Sequence, residues 1–382
     1  MSVSLNFDHL LSRRARQIES SEIRRIWELA KNCKNPIDLS IGQPDFEVDQ
    51  SLRDAAVSAI QSGANGYSQT KGVLPLIQTV ESHCNKQFDW NFSPVGSHSS
   101  LITSGTSGAL MLAYMAILDP GDEIIIPDPY FLIYPTIATI CGAKAIKCST
   151  YPDFRMTANL IEGLITDRTK AVLINSPANP TGVVLSGSEV KQIADLCSQK
   201  NILLITDEIY DEFVFADTKH ASPASFSDNV LLIRGFGKTY GCTGWRLGYA
   251  VGPTELIDEM AKMQQQTFVC APTPLQYGVV PSFGVDNSLL VKEFGTRRDM
   301  VMDSLAQVTE LKKPSGAFYA FPKVPNHLKL TATEFVKKCV ADNLLVIQGS
   351  VFSSRDTHFR LSFAVSNDIL SQGLEKLKHL MR

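Results

Sequence analysis

Short apolar runs alternate with longer amphipathic stretches between about residue 100 and residue 255. Each run has the length of a buried strand, is rich in β-branched residues and ends in a polar or glycine- and proline-containing turn. The runs are 101–103, 123–126, 171–174, 202–205 and 230–233, and residues 188–200 show helical spacing. Because continuously apolar strands are covered on both faces, the pattern predicts an α/β fold with a mostly parallel sheet covered by helices.

The last hundred residues show a different order. Strands are predicted at 319–321, 344–347 and 359–363, and helices near 288–310, 331–342 and 367–381. This mixture is typical of a smaller α+β domain. We expect a large domain over residues 51–284, and a small domain that joins residues 1–50 to residues 285–382.

Composition narrows the class of protein. The 382 residues are 44% hydrophobic and 20% charged, and the net charge of -3 offers no strong attraction for nucleic acid or an anionic membrane. No segment is long and apolar enough to span a bilayer, and the first residues lack a secretory h-region. Acidic residues among the N-terminal arginines count against a transit peptide. The eight scattered cysteines are typical of reduced thiols, so we expect a cytoplasmic protein without nucleic-acid or membrane partners.

Polar residues directly follow each apolar run. In parallel α/β sheets, ligands bind beyond the carboxyl ends of the strands, so these residues are candidates for a site. They lie at 103–108, 127–131, 175–182, 207–210 and 235–238. Together they would bring a turn of small residues, aromatic rings, an asparagine, an aspartate, a tyrosine and a lysine to one edge of the sheet.

Two classes of cofactor could use such an edge. Gly237-Lys238-Thr239 is similar to the end of a nucleoside-triphosphate loop, but that loop needs a glycine five residues before Gly237, where Leu232 stands inside a strand. Pyridoxal phosphate needs a lysine that forms an imine, an acid beside the ring nitrogen, donors to the ring oxygen and a phosphate cradle. The residue types at this edge favour the second class.

Several motifs, in order, carry a family resemblance over nearly the whole chain. The chain resembles the class I/II aminotransferases of fold type I, which use pyridoxal phosphate. The matching positions are Gly42 in Ile-Gly-Gln-Pro-Asp-Phe, Tyr67 with Gly72, Asn179-Pro-Thr-Gly182, Asp207-Glu-Ile-Tyr210, Lys238 with Arg246 eight residues later, Tyr319 in Pro-Ser-Gly-Ala-Phe-Tyr, and Arg360 in Phe-Arg-Leu-Ser-Phe.

The resemblance implies roles around the cofactor ring. Lys238 would form the Schiff base and, once freed by substrate, would act as general acid and base. Asp207 would pair with the pyridine nitrogen and keep it protonated. Asn179 and Tyr210 would donate hydrogen bonds to the ring oxygen, and Phe131 would stack on the ring face.

It also implies a phosphate site and a shared active site. The backbone N–H groups of Gly105, Thr106 and Ser107 would bind phosphate at a helix N-terminus, with Arg246 as a charged clamp. Tyr67 matches a tyrosine that reaches the phosphate of the neighbouring subunit. The resemblance therefore implies a homodimer with shared active sites.

Arg360 matches the arginine that binds the substrate α-carboxylate, and guanidinium geometry suits that task. Gly42 would let the backbone approach the same carboxylate, and Phe131 and Asn179 would line the substrate site. The expected reaction is ping-pong exchange of an amino group between an amino acid and a 2-oxo acid, with 2-oxoglutarate favoured. Motifs near the N-terminus, including residues 21–26, favour aspartate or an aspartate/aromatic range as donor.

Three residues depart from the family pattern, and a fourth, Asp128, follows a predicted strand. Relatives usually carry serine at the position of Gly235, so we expect a phosphate site short of one hydroxyl and easier loss of cofactor. Gln348 and Ser353 stand where many relatives have proline and glycine, in a segment that flanks the expected substrate pocket, so these differences bear on substrate preference and not on cofactor use. Asp128 is interpreted as a helix N-cap that follows a strand.

Two other functions use the same fold. One is a carbon–sulfur β-lyase or another enzyme that keeps the cofactor and changes the reaction. The other is a non-catalytic regulator of the kind that is fused to a DNA-binding domain. Lys238, Asp207, Arg246 and Arg360 are all present, and no basic extra domain is seen, so an enzyme is favoured.

Overall fold

Seven segments between residues 98 and 253 pair as one sheet in the computed structural model, which describes residues 7–18, 33–93 and 96–382. The strands of the described residues are β1 (Ile37–Asp38), β2 (His98–Thr103), β3 (Glu123–Asp128), β4 (Lys144–Ser149), β5 (Thr169–Asn175), β6 (Leu203–Asp207), β7 (Val230–Gly235), β8 (Gly248–Pro253), β9 (Tyr319–Ala320), β10 (Leu344–Leu345), β11 (Ile347–Gln348) and β12 (Phe359–Ser362).

Helices lie between most of these strands. The α-helices of the described residues are α1 (Arg13–Gln17), α2 (Gln50–Gln61), α3 (Leu74–Phe88), α4 (Gly105–Ile117), α5 (Ile133–Cys141), α6 (Ala158–Glu162), α7 (Gly187–Lys200), α8 (Phe236–Thr239), α9 (Thr254–Thr267), α10 (Thr273–Gly278), α11 (Ser288–Leu305), α12 (Ala332–Ala341) and α13 (Asn367–Met381). Across the described ranges, none of the helices combines the length and the apolar character needed to cross a membrane.

The order of strands in the large sheet is β2-β8-β7-β6-β5-β3-β4. Only β8 runs antiparallel to its neighbours, and all the other pairs are parallel. The predicted fold class is therefore confirmed, and each of the five predicted runs lies in this sheet. Strands β4 and β8 were not predicted, because β4 is an edge strand with two lysines and β8 contains two glycines and a proline.

Both faces of the sheet are covered by apolar side chains. In β5, Leu173 joins a core cluster with residues of α4 and α5, whereas Val172 and Ile174 join a cluster with residues of α7 on the opposite face. Alternate residues of one strand thus enter separate cores, which is why the strand reads as a continuous apolar run. The helix predicted at 188–200 is α7, which begins with a capping box between Ser186 and Glu189.

Two smaller sheets lie outside the large one. Strand β1 pairs in parallel with β10, and β11-β12-β9 form an antiparallel sheet. The single strand predicted at 344–347 was therefore wrong in one respect: the chain changes partner after Leu345, so that two short strands enter different sheets. The predicted helices near 288–310, 331–342 and 367–381 correspond to α11, α12 and α13.

The carboxyl ends of the parallel strands meet at one edge of the large sheet. Asn175 and Asp207, the last residues of β5 and β6, are register partners, and Asp207 also faces Ile233 of β7. Buried ionic contacts hold this edge together. Glu208 accepts hydrogen bonds from Nε and Nη2 of Arg234 at 3.1 and 2.9 Å. This fully buried pair joins the ends of β6 and β7, from which Asp207 and Lys238 extend.

Candidate active site

A cavity of about 380 Å³ opens at this edge of the sheet. It is lined by all but one of the residues that the sequence analysis assigned to cofactor or substrate: Gly42, Gly105, Thr106, Ser107, Phe131, Asn179, Asp207, Tyr210, Lys238, Arg246 and Arg360. Tyr67 lies outside this cavity and is 86% exposed. Segments distant in sequence are thus brought together, with residues 40–43 and Arg360 joining the strand ends.

Lys238 lies in α8, the short helix that follows β7. Its Nζ donates a hydrogen bond to the carbonyl oxygen of Gly42 at 2.5 Å. Burial, with the guanidinium groups of Arg360 and Arg246 nearby, lowers the pKa of Lys238 from 10.5 to about 8. The amine is therefore far easier to deprotonate than that of a surface lysine.

Asp207 is buried at the floor of the cavity. Tyr134 O–H donates to Asp207 Oδ2 at 2.8 Å, and the N–H of Ile209 donates to Oδ1 at 3.3 Å. Burial raises the pKa of Asp207 to about 6, against the opposite effect of these hydrogen bonds. Sequence reasoning missed Tyr134, because its contact with Asp207 crosses from α5 to β6 and no local motif marks it.

Arg360 is buried in the lining of the same cavity. Its guanidinium donates to Asn179 Oδ1 at 3.1 Å and to the carbonyl oxygen of Ser40 at 2.8 Å, while Nε has no partner among the described residues. The group lies 4.5 Å from the ring centre of Tyr319 and 4.6 Å from that of Phe352. Burial lowers its pKa. No carboxylate of the described residues pairs with this cation, so the site suits an anionic ligand.

Asn179 and Tyr210 are each positioned by a residue to which the sequence analysis gave no role. Asn175 Oδ1 accepts the N–H of Asn179 at 2.8 Å, and Asn175 Nδ2 donates to the carbonyl oxygen of Asp207 at 2.8 Å. The hydroxyls of Tyr210 and Tyr319 lie 3.0 Å apart. Burial raises the pKa of Tyr210 well above its ordinary value, so this phenol stays protonated. Tyr319 belongs to one of the family motifs, and that was the only signal for it.

The first turn of α4 and Arg246 form a cradle for an anion. Ser104, at the N-cap, makes no side-chain capping bond, and the helix begins with Gly105, Thr106 and Ser107. Gly105 has φ of +69°, and a Cβ there would lie 2.8 Å from a guanidinium nitrogen of Arg246. The positive φ favours glycine at the position where the helix begins, close to that cation.

Glycine is needed at position 42 because of Tyr319, a neighbour that the sequence analysis did not connect with it. A Cβ at this position would overlap the hydroxyl of Tyr319. The glycine thereby allows its carbonyl oxygen to reach Lys238, in addition to the approach to substrate that the sequence analysis expected.

The packing around Gly235 bears on the expected loss of a phosphate-binding hydroxyl, which stays a prediction. This residue does not line the cavity, and a Cβ there would lie 2.7 Å from Ile209 Cδ1 and 3.0 Å from Thr106 Cγ2. Its backbone is extended, so the obstacle to a serine is packing and not conformation. A serine there would require the end of the Ile209 side chain to move.

The interpretation of Asp128 as a helix N-cap was wrong. Helix α5 has Leu132 at its N-cap, and Asp128 ends β3. Its Oδ2 instead accepts hydrogen bonds from the N–H and O–H of Ser354 at 3.2 and 2.7 Å. The N-terminal motif at residues 21–26 lies outside the described residues.

Known proteins match this sequence over nearly its whole length. The sequence matches the family described as aminotransferase class I and II over residues 34–377. A probable N-acetyl-LL-diaminopimelate aminotransferase of Bacillus subtilis is 37% identical, over 97% of this chain and 95% of the relative. A probable aspartate aminotransferase of Methanocaldococcus jannaschii is 33% identical, over 97% and 100% of the two chains. The solved structure of aspartate aminotransferase from Rhizobium meliloti has a TM-score of 0.90 and 31% identity, over 97% and 98%.

The raised pKa of Asp207 predicts a pH-dependent stability. Since burial raises this pKa from 3.8 to about 6, the ionised carboxylate destabilises the cofactor-free protein above pH 6, and the cost disappears as the pH falls to 4. We expect Asp207→Asn to raise the free energy of unfolding by up to about 3 kcal/mol at pH 8 and by little at pH 4.5. Urea titrations of the cofactor-free protein at both pH values measure this, with Asp195→Asn on the surface of α7 as control. A less stable Asn variant at pH 8 would contradict the assignment.

The packing around Gly235 predicts that restoring serine brings no benefit. We expect Gly235→Ser to lower stability by about 1–3 kcal/mol through overpacking and to leave cofactor affinity no tighter. Adding Ile209→Val, which removes the δ-methyl group in the way, should recover part of the loss. Thermal unfolding and the cofactor dissociation constant are the measurements. Tighter cofactor binding by the single serine variant would instead support the missing-hydroxyl interpretation.

Proposed function

Since this chain belongs to the class I and II aminotransferases, which use pyridoxal phosphate, we propose that it transfers the amino group of L-aspartate, or of both aspartate and aromatic amino acids, to 2-oxoglutarate. The observation that carries the proposal is Arg360, a buried guanidinium without a carboxylate partner among the described residues, facing the same cavity as Lys238. Relatives named as aspartate and aromatic-amino-acid aminotransferases support the choice of donor. The apolar surfaces of Ile41, Phe131 and Ile209 would accommodate an aromatic side chain.

The residues present fit the cofactor. The cavity combines a lysine, a buried carboxylate and a cradle at a helix N-terminus where a Cβ on Gly105 would meet Arg246. When bound, pyridoxal phosphate supplies an electron sink for the electron pair left at the amino acid's Cα. Gly105, Thr106 and Ser107 would bind the phosphate through their N–H groups, and Arg246 would neutralise it.

Lys238 would hold the cofactor through its amine and would later carry the substrate proton. With a pKa of about 8, about one tenth of the amine is unprotonated at pH 7, which suits a nucleophile and a general base. The carbonyl oxygen of Gly42 accepts a hydrogen bond from Nζ and so fixes the direction of the side chain. Burial, with Arg360 and Arg246 nearby, keeps this pKa low, and an anion bound beside the two arginines would offset their part of the effect.

Asp207 would face the ring nitrogen and hold its proton, while Tyr134 fixes the carboxylate through a hydrogen bond to Oδ2. Asn179 and Tyr210 would donate to the ring oxygen, and Phe131 would cover the ring face. Arg360 would bind the α-carboxylate bidentately, with Nε and one of its terminal nitrogens available once the Ser40 contact is exchanged.

The proposed architecture has a cofactor-binding domain at residues 51–284 and a small domain at residues 1–50 with 285–382. The seven-stranded sheet lies within the first range, and both small sheets are built from residues of the second. The eight cysteines are free thiols, which supports a cytoplasmic location.

The proposed working unit is a homodimer in which Tyr67 reaches the partner's phosphate site. Tyr67, Leu74 and Phe268 are apolar residues that are 86%, 63% and 48% exposed. Gln264 Nε2 donates to the carbonyl oxygen of Thr70, which places the end of α9 beside the 67–74 loop. An exposed apolar surface of this kind suits a second copy of the chain.

The reaction is tested by mixing the holoenzyme with an amino donor and no oxo acid. We expect L-aspartate to convert the cofactor from its pyridoxal to its pyridoxamine form, Lys238→Ala to abolish the conversion, and Arg360→Lys to raise the donor KM by about 30- to 100-fold. A panel of donors, including aromatic amino acids and N-acetyl-LL-diaminopimelate, ranks the substrates. Release of pyruvate and ammonia from cystathionine without any pyridoxamine phase would support the β-lyase alternative instead.

The dimer is tested by placing charge on its proposed interface. We expect the variant Leu74→Glu combined with Phe268→Glu to sediment as a monomer and to bind cofactor weakly. Two apolar side chains that the proposed dimer would bury become charged, and burying a charge without a partner is costly. Leu289→Glu, at an 81% exposed position of α11, is the matched control and should stay dimeric. A monomeric wild-type protein with full cofactor affinity would refute the shared site.

A further inference from the structure

A short segment of the proposed small domain, residues 349–356, lies across the carboxyl ends of β3 and β4 of the proposed large domain. The N–H of Tyr130 donates a hydrogen bond to the carbonyl oxygen of Phe352 at 2.7 Å. Asp128 Oδ2 accepts hydrogen bonds from the N–H and O–H of Ser354. Arg355 also donates to Ser149 Oγ at 3.2 Å, so that with Ser353 four consecutive residues of the segment make polar contacts with the large domain.

Ser353 makes the central contact. It is 4% exposed, and its Oγ accepts hydrogen bonds from the O–H of Tyr151 at 2.9 Å and from the N–H of Arg355 at 3.0 Å. The guanidinium of Arg355 also lies 4.3 Å from the ring centre of Tyr151. A glycine at position 353 would keep the backbone path and remove the acceptor. The hydroxyl is therefore a specific bond between the two domains.

Phe352 connects this segment to the active site in two ways. Phe352 packs its ring on the guanidinium of Arg360, and Arg360 is the proposed carboxylate anchor. Tyr130, which Phe352 binds through its carbonyl oxygen, is followed directly by Phe131 in the wall of the cavity. The position of the anchor is thus mechanically connected to the wall on which the cofactor would lie.

We propose that Ser353 and Tyr151 are positioning residues for the amino-acid substrate. Their hydrogen bond, with the neighbouring contacts of Phe352 and Ser354, holds Arg360 at the distance from the cofactor at which one ligand can reach both. This proposal rests on the proposed function, because it takes Arg360 as the carboxylate site. Neither residue lines the cavity, so their loss acts on substrate binding through Phe352 and leaves the cofactor's own contacts in place.

The test compares Ser353→Ala, Tyr151→Phe and the double variant as holoenzymes. Ser350→Ala is the matched control, because Ser350 lies on the same segment, is exposed, and its hydroxyl faces Thr333 at 3.4 Å instead of the large domain. The probe is 2-methylaspartate, which carries the amine and the α-carboxylate but has no Cα hydrogen to lose. Calorimetry measures its binding without turnover, and a separate titration measures cofactor affinity.

We expect each single variant to bind 2-methylaspartate about 3- to 10-fold more weakly, the factor for one neutral hydrogen bond, with unchanged cofactor affinity. The double variant should be no weaker than Ser353→Ala, since Tyr151→Phe removes a bond that Ser353→Ala already removes. Wild-type affinity in both single variants would overturn the proposal, and so would a parallel fall in cofactor and probe affinity, which indicates general loosening. Arg360→Lys separates the two hypotheses: if it binds the probe as wild type does, the carboxylate assignment fails, whereas if only Arg360→Lys loses binding, the positioning role fails.

Discussion

Three cations and one carboxylate line the same cavity, and the surrounding structure is built to keep them there. Lys238, Arg246 and Arg360 face Asp207 across a space of about 380 Å³. Arg360 is buried, Lys238 is half-buried and Arg246 is exposed. They donate hydrogen bonds to the carbonyl oxygens of Ser40, Gly42 and Thr243, in that order. The cost of a cation without a counter-ion is greatest at Arg360, the most buried of the three. These acceptors satisfy hydrogen bonds but supply no negative charge. The arrangement is therefore one that a phosphate and a carboxylate would complete.

The same charge distribution accounts for the unusual protonation behaviour of the site. Burial and the two guanidinium groups lower the pKa of Lys238, while burial raises the pKa of Asp207. The lysine can thus act as a base near neutral pH, and the aspartate gains most from a nearby cationic group. A cofactor with a phosphate at one end and a protonatable nitrogen at the other would offset the free-energy cost of the clustered cations and that of the buried carboxylate. Such losses of stability are typical of functional sites.

The chemistry at the strand ends could be predicted from sequence because it follows local rules. Continuous apolar runs indicate buried parallel strands, and the residue after each run lies at the functional edge, which is how Asp207 and Lys238 were found. Strand β4 could not be found in this way, since its lysines face solvent at the edge of the sheet. Contacts between distant segments, such as Tyr134 with Asp207, leave no local pattern, and the packing around Gly235 depends on a side chain of another element.

If Arg360 binds the substrate as proposed, substrate binding would depend on the junction between the proposed domains as well as on the strand ends. Arg360 comes from a small antiparallel sheet, whereas Lys238 and Asp207 come from the large parallel one. Rigid sheets fix distances within each group but not the distance between the groups. That distance is set by side-chain contacts at the junction, where a hydroxyl such as that of Ser353 can matter without touching a ligand. A difference from relatives at this position would therefore bear on which amino acids fit, whereas the residues proposed to hold the cofactor within one chain all line the cavity.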